Sequence, residues 1–316
     1  MSRREFSENP YVIFSCIAPV NRAKLFFSLS SFSKESTPIV ITSKEFLQEW
    51  SGQGIQCFVT KFNSVAKYKR IGRSFFIRVS IFRLGWVKLS GFAFFKGLTH
   101  FWMHPHTARH FESLRLLKTL DPEAWAYLVG SRDLIFQISP AQLSSELKKD
   151  AELHFFDEGG YHFKDGLPQF TKFSKANSTW TRQLVNFDEA TAKGLDDKVI
   201  INADCIYGKV RALCEFLEQS CALLAASSYS SFALLDQAST NLVAHQLLEK
   251  GEATLHQNGS HVLNMCGVVE AKVEINEGKL TLNNAIIPIV HQFDRYGYWS
   301  LDAGLVFDKR EYRIQG

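Results

Sequence analysis

The chain has 316 residues, 46% hydrophobic and 22% charged, which is near the globular average, and one folded domain over 1–316 is expected. A net charge of +4 is too mild to define a partner, and no run of about 18 uncharged apolar residues supplies a transmembrane helix. The stretch Met1–Pro10 lacks the apolar core of a signal peptide, and none of the six cysteines forms a CxxC pair, so reduced thiols in a cytoplasmic protein are expected.

Tyr11–Ile17 is a continuous apolar run and reads as a buried strand. Thr37–Thr42 reads as a second strand, with Ser43 capping a helix through Trp50, and Gln56–Phe62 as a third. Strands alternating with helices at the start predict an α/β fold: a Rossmann-like, mostly parallel central sheet flanked by helices. Residues 51–111 contain no Asp or Glu but many Lys and Arg, and 67–103 read as a helix or two with a basic, aromatic surface.

Pro105–Leu120 has helical periodicity, Asp121-Pro122 makes a turn, and Ala124–Val129 is a strand. Ser139-Pro140 is a helix start, with the helix reaching about Lys149. Leu153–Phe156 is a short strand. Residues 160–197 read as loop-rich. Val199–Ile201 and Ile206-Tyr207 flank the polar Asn202-Ala203-Asp204. Lys209–Ala225 and Ser231–Lys250 are the clearest helices. Val262–Leu263, Val268–Ile275, Lys279–Leu282 and Ile286–Val290 close the chain as strands, with Asn276-Glu277-Gly278 as a hairpin turn. The last 20 residues, 297–316, read as a tail.

Two apolar runs end abruptly in ionisable residues. Ala124–Val129 leads into Gly130-Ser131-Arg132-Asp133, and Ile286–Val290 leads into His291-Gln292-Phe293-Asp294-Arg295. The carboxyl ends of strands in an open α/β sheet are where ligands bind. Charge there suits a phosphate and a divalent metal. Asp157-Glu158-Gly159-Gly160 also follows a strand; Gly-Gly lets backbone approach a ligand, and an acidic pair suits a base or sugar hydroxyls, but an ordinary turn remains open. Asp236-Gln237 near a helix start suits either a helix-dipole partner or a base. His104, His106 and His110 give H-x-H-x-x-x-H, but Pro105 interrupts the spacing and no cysteine is near, which speaks against zinc. There is no P-loop, GxGxxG, GxSxG or zinc signature.

Arg132-Asp133 with Phe136-Gln137, Asp236-Gln237, and His291-Gln292-Phe293-Asp294-Arg295 resemble, in order and approximate spacing from about residue 10 to residue 296, motifs of A-type glycosyltransferases of bacterial type. The resemblance implies an A-type glycosyltransferase fold, with a nucleotide-binding half over about 10–137 and an acceptor-side half over about 138–296. It implies transfer of a sugar from a nucleotide-diphosphate donor to a glycan or lipid-linked acceptor. Donor contacts would come from Arg109, Arg132, Asp133, Asp204 and Arg295, and a Mn²⁺ or Mg²⁺ ion would lie on Asp133 and His291. Asp236 and Glu158 would carry catalysis, with Asp157 and Gln237 on the acceptor side. Gly130 stands where the family has its first acidic residue, so a metal-independent version using Arg132, Arg109 or Arg295 is a second option. Asp204 is another departure, since the family has small residues there.

Gly130 also motivates an alternative, a degenerate relative that binds nucleotide sugar or glycan without transfer. The basic, aromatic stretch suggests peripheral contact with an anionic membrane, or, as a third reading, single-stranded nucleic acid. Acidic residues elsewhere and the lack of a nucleic-acid motif disfavour that third reading, so no nucleic-acid partner is expected.

Overall fold

The computed structural model describes residues 9–16, 36–44, 47–51, 55–60, 105–130, 133–159, 162–164, 167–169, 172–227, 229, 235–265, 273–276 and 279–292. Arg132, Asp294, Arg295, His104, the basic stretch 67–103 and the tail 297–316 lie outside these. Among the described residues no helix is long and apolar enough to cross a membrane.

The strands in chain order are β1 (Tyr11–Cys16), β2 (Thr37–Thr42), β3 (Gln56–Val59), β4 (Trp125–Gly130), β5 (Leu134–Phe136), β6 (Leu153–Asp157), β7 (His162–Lys164), β8 (Leu167–Gln169), β9 (Ile201–Lys209), β10 (Thr254–His256), β11 (Val262–Asn264), β12 (Val273–Asn276), β13 (Lys279–Leu282), β14 (Ala285–Ile286) and β15 (Ile289–His291). The helices are α1 (Leu47–Ser51), α2 (Pro105–Leu117), α3 (Pro140–Leu147), α4 (Lys172–Leu184), α5 (Glu189–Lys193), α6 (Val210–Ala226) and α7 (Asp236–Glu249).

Seven strands form the central sheet in the order β10-β6-β9-β4-β1-β2-β3. The β1–β2, β2–β3, β1–β4 and β6–β10 pairs are parallel, and only β9 runs against its neighbours β4 and β6. The fold is therefore mixed α/β with a mostly parallel sheet. Strands from both the 10–137 and the 138–296 segments enter this one sheet.

The alternation of side chains along each strand divides the core in two. Ile13, Ile39, Ile41, Ala126, Leu128, Phe155 and Ile206 face one side and pack under α2, α6 and α7 through Ala108, Leu117, Leu213, Phe216, Val243 and Leu247. Val12, Phe14, Val40, Tyr127, Val129, Cys205 and Tyr207 face the other side, against Leu143 and Leu147 of α3 and against Leu134, Phe136, Val262 and Ile289 of a small sheet, β11-β15-β5. That small sheet brings the distant segments 134–136 and 289–291 side by side, with His291 opposite Leu134.

Local chemistry explains several boundaries. Ser139 caps α3, its Oγ accepting from Ala141 N at 3.2 Å, and Pro140 occupies the first turn, where its missing N–H costs nothing. Asn276 and Lys279 pair directly in an antiparallel ladder, as the Asn276-Glu277-Gly278 turn predicts.

The structure departs from expectation at four places. Segment 160–197 holds helices α4 and α5 instead of loop. The buried positions Asn177, Thr181 and Leu184 of α4 fall at helical spacing, but two of the three are polar, so hydrophobic periodicity conceals the helix. Residues 201–209 form one strand without a break at 202–204, because the polar side chains there serve a site and are not loop residues. The run 286–290 is divided into β14 and β15 around Pro288, which cannot donate to a ladder. Finally, Thr254–His256 adds an edge strand on β6 that the sequence reading passed over.

That edge carries a histidine pair. His154 Nε2 donates to Ala151 O at 2.9 Å, so its Nδ1 is the acceptor for His256 Nε2–H at 3.0 Å. Burial, reinforced by His261 and His154, pushes His256 down to about 4 from 6.5. The unfolded chain therefore binds this proton more readily than the folded one. The stabilising contribution is complete above pH 6.5 and lost as pH falls toward 4. Replacing His256 with Gln should flatten the fall of Tm between pH 6.5 and pH 4, as read by circular dichroism melts. An unchanged slope would show that the pair is not what acid attacks.

Candidate active site

The site lies at the carboxyl end of β4. Because β9 runs antiparallel with Val129 opposite Cys205, the next rung sets Gly130 opposite Asp204. A Cβ added at Gly130 would lie 3.2 Å from Cβ, Cγ and Oδ1 of Asp204. Glycine at 130 leaves room for the carboxylate of its neighbour.

From Asp204 a line of alternating charge crosses the end of the sheet. Arg109, on α2, pairs with Asp204 through Nη1 and with Oδ2 of Asp236 through Nη2 at 2.6 Å. Asp236 opens α7 and is buried. On its other side Asp204 Oδ2 lies 3.4 Å from Nε2 of His291, and that nitrogen lies 3.5 Å from Oδ1 of Asp133. Segments 109, 133, 204, 236 and 291 thus meet in the order Asp236, Arg109, Asp204, His291, Asp133.

Burial opposes charge on Arg109, Asp204, Asp236 and His291, and the neighbours overcome it. Arg109 is buried, but Asp204 and Asp236 raise its pKa further above the ordinary guanidinium range. Burial would raise Asp204, yet Arg109 and His291 hold it well below the usual carboxylate range. Asp236 is likewise held low against burial, by Arg109 first. Burial would neutralise His291, but Asp133 and then Asp204 push it up to about 9. At neutral pH Asp204 and Asp236 are carboxylates, and Arg109 and His291 are cations.

A set of amides fixes the imidazole. His291 Nδ1 donates to Asn264 Oδ1 at 2.7 Å. Asn264 Nδ2 donates to the Asp157 carbonyl at 2.8 Å, and Asn202 Nδ2 donates to the same Asn264 Oδ1. Asn202 Oδ1 in turn accepts from the Asp204 N–H at 2.5 Å. The ring is held by its Nδ1 edge, leaving Nε2 toward the carboxylates.

A second set of amides joins α7 to the start of β9. Gln237 Oε1 accepts from Ala203 N at 3.0 Å, and its Nε2 donates to Ile201 O and to Glu158 Oε2, both at 2.8 Å. One turn on, Asn241 Oδ1 accepts from Ile201 N at 2.8 Å. These side chains satisfy strand groups that extend past the end of β4. Glu158 is half-buried, within 3.5 Å of Gln292 Nε2 on its other oxygen. Gln292 has a positive φ of 61°, and its N–H donates to the Asp133 carbonyl at 2.7 Å, so it joins the two strand ends.

The structure brings together Arg109, Asp133, Glu158, Asp204, Asp236, Gln237 and His291. Arg109 has two carboxylate partners where a nucleotide contact is expected from the resemblance. Asp157 is buried and turns Oδ1 onto Gly159 N at 2.7 Å, so it shapes its own turn. Arg132 and Arg295 lie outside the described residues. Asn264 joins the site although its only signal in the sequence is a polar residue ending the apolar pair Val262-Leu263. The chain His110 Nδ1 to Ser220 Oγ at 2.7 Å, Ser220 to Ser239 at 2.8 Å, and Ser239 to the Asp236 carbonyl at 3.0 Å joins it too. Among the described residues no three His, Cys, Asp or Glu side chains stand gathered around a metal position. No protein-family model and no curated protein matches this chain.

Arg109→Met should be severely destabilising, because it leaves the buried Asp236 and the partly buried Asp204 without their shared cation. Loss of one partner of a buried pair costs about 3–5 kcal/mol. Urea unfolding of wild type and variant reads this directly. A loss under about 1 kcal/mol, the range of an exposed pair, would mean that the pairing is not structural.

Proposed function

We propose that the chain is a glycosyltransferase with an A-type fold, moving a sugar from a nucleotide-diphosphate donor to a glycan or lipid-linked acceptor. One observation carries this reading. The three segments that resemble the transferase motifs, around 133, 236 and 291, are far apart in sequence but meet at the carboxyl ends of the central strands. The mostly parallel sheet supports it as the usual setting for such a cleft.

Under this reading a divalent cation would lie beside Asp133 and His291. His291 is oriented by Asn264 through Nδ1, as metal-bound histidines are by their outer partners, and its Nε2 faces Asp133. Asp133 and His291 would hold Mn²⁺ or Mg²⁺ together with diphosphate oxygens, and the ion would supply charge to the departing diphosphate. In the free protein the imidazole proton meets the same carboxylates.

The remaining residues divide the work. Arg109 holds Asp204 and Asp236 ionised and in place. Asp236, buried and tied to Arg109, is a weak candidate for accepting a proton. Glu158 is half-buried, is not paired with Arg109 and is oriented by Gln237, so we assign it the proton of an acceptor hydroxyl.

A second reading, binding of a nucleotide sugar or glycan without transfer, is favoured by the Arg109 pairing, which commits two of the three carboxylates at 133, 204 and 236 to one guanidinium. Two variants separate the readings. Calorimetry with UDP-, GDP- and CMP-sugars, with and without Mn²⁺, should show donor binding that Asp133→Asn reduces by tenfold or more. Glu158→Gln should keep donor binding and lose transfer or slow donor hydrolysis by about 10²-fold or more. Binding without any hydrolysis in wild type would favour the second reading, and no binding of any donor would end both.

A further inference from the structure

Glu158 has a glutamine at each carboxylate oxygen, and the two glutamines are not equivalent. Gln237 is saturated: its Oε1 accepts from Ala203 N, and its Nε2 donates to Ile201 O and Glu158 Oε2. Gln137, which joins β5 to β13, is saturated as well, with Oε1 accepting from Leu280 N at 2.6 Å and Nε2 donating to Leu280 O and Ile287 O, both at 2.8 Å. Gln292 is different. It is 4% exposed, its Nε2 lies 3.5 Å from Glu158 Oε1, and its Oε1 is buried with no hydrogen-bond partner among the described residues. We infer that Gln292 Oε1 accepts a hydrogen bond from a hydroxyl of the transferred sugar and so selects the donor. The identity of the ligand rests on the proposed function; the unmet acceptor does not.

Three observations carry it. The first is orientation. An ionised carboxylate only accepts hydrogen bonds, so the amide presents Nε2 to Glu158 and turns Oε1 away from it. A buried acceptor left unmet is costly, and the cost is recovered only when a donor arrives. The other two buried glutamine amides act as staples with every polar atom used, so a staple with one end unused is not what this chain builds elsewhere.

The second is place. Gln292 directly follows His291, and its N–H donates to the Asp133 carbonyl at 2.7 Å. Its side chain reaches back to Glu158. One residue thus spans the interval between the two strand ends and the half-buried acid. With the donor diphosphate beside Asp133 and His291 and the acceptor hydroxyl at Glu158, the anomeric carbon lies between the oxygen that leaves and the oxygen that arrives. The transferred sugar therefore occupies the interval that Gln292 spans. The backbone there has a positive φ of 61°, which a long side chain rarely adopts and which is held by the bond to Asp133.

The third is chemistry. The unmet atom is a neutral carbonyl oxygen with carboxylates on both sides of it in the chain's fold, Asp133 and Glu158. Such a corner disfavours an anion and accepts from a hydroxyl, the group in which a sugar is rich. A site built round a buried acceptor also rejects the analogue that lacks the matching hydroxyl, because that acceptor then stays unpaired.

The test uses calorimetry with UDP- and GDP-hexoses, with UDP and GDP alone, and with monodeoxy analogues of the hexose that binds best. In wild type one monodeoxy analogue should bind about tenfold or more weakly than its parent. Gln292→Met should weaken the parent about tenfold or more, leave UDP or GDP alone unchanged, and bind that analogue as well as the parent, which is the signature of a direct coupling. The Tm of Gln292→Met should not fall, because no short hydrogen bond is removed. Were this variant to misfold, Gln292→Asn carries the same comparison: Asn suits a positive φ better than Gln, and its amide stops one methylene short of the ligand. A folded variant with wild-type donor affinity, or one that loses nucleotide and nucleotide sugar equally, would overturn the assignment and leave the transferase reading in place. A lower Tm with unchanged donor affinity would make Gln292 a staple after all. Failure of wild type to bind any of these nucleotides or nucleotide sugars would remove the transferase reading, and the sugar contact with it.

Discussion

A buried guanidinium between two carboxylates is the interaction on which the rest of this site depends. Arg109 lies on α2, Asp204 on β9 and Asp236 on α7, so one side chain ties two helices to a central strand. It is the first of the charges that hold both Asp204 and Asp236 ionised against burial. Both helices already cover the same face of the sheet through apolar contacts, and these contacts give no register to the helix ends. The charge pairing does, because it is directional and intolerant of displacement. His110, Ser220 and Ser239 extend this by binding the first turn of α7 through the Asp236 carbonyl.

The second half of the site is held from the opposite face of the sheet. Asp133 and His291 are delivered by β5 and β15, adjacent strands of the small sheet that packs against Tyr127 and Phe14. Two layers on opposite faces thus meet at one sheet edge. Their meeting leaves a charged centre with a half-buried acid, Glu158, beside it. Under the proposed function, carboxylates and cations fixed in this way would need little rearrangement around a diphosphate, the condition under which electrostatic stabilisation is strongest.

Much of this was legible in the sequence where one physical signal dominated. The first three strands are apolar runs bounded by polar residues, and their parallel order follows from the intervening chain. Ser139-Pro140 announces a helix start by hydrogen bonding alone. The residues 133, 236 and 291 stood out because ionisable groups end apolar runs or open a helix. What could not be read is pairing in space. Asp204 looked like part of a break between two short strands, since strand propensity disfavours Asn and Asp. Only the ladder register reveals that it fills the place above Gly130. Likewise Arg109 looked like a surface arginine or a nucleotide contact, because a sequence does not show that two carboxylates from 95 and more residues away would claim it. Helix α4 was hidden for the reason that hides any helix whose buried face is polar: Asn177 and Thr181, with Thr181 Oγ1 donating to the Asn177 carbonyl, leave no hydrophobic period.

The central proposal is that these strand ends form a nucleotide-sugar site with the donor diphosphate beside Asp133 and His291. A crystal structure of the protein with Mn²⁺ and a nucleoside diphosphate, with anomalous scattering recorded at the manganese edge, tests it most directly. The account predicts the diphosphate at the ends of β4 and β15, with the manganese peak between its oxygens and Asp133 and His291. A nucleotide bound elsewhere, or a peak that avoids both residues, would contradict it.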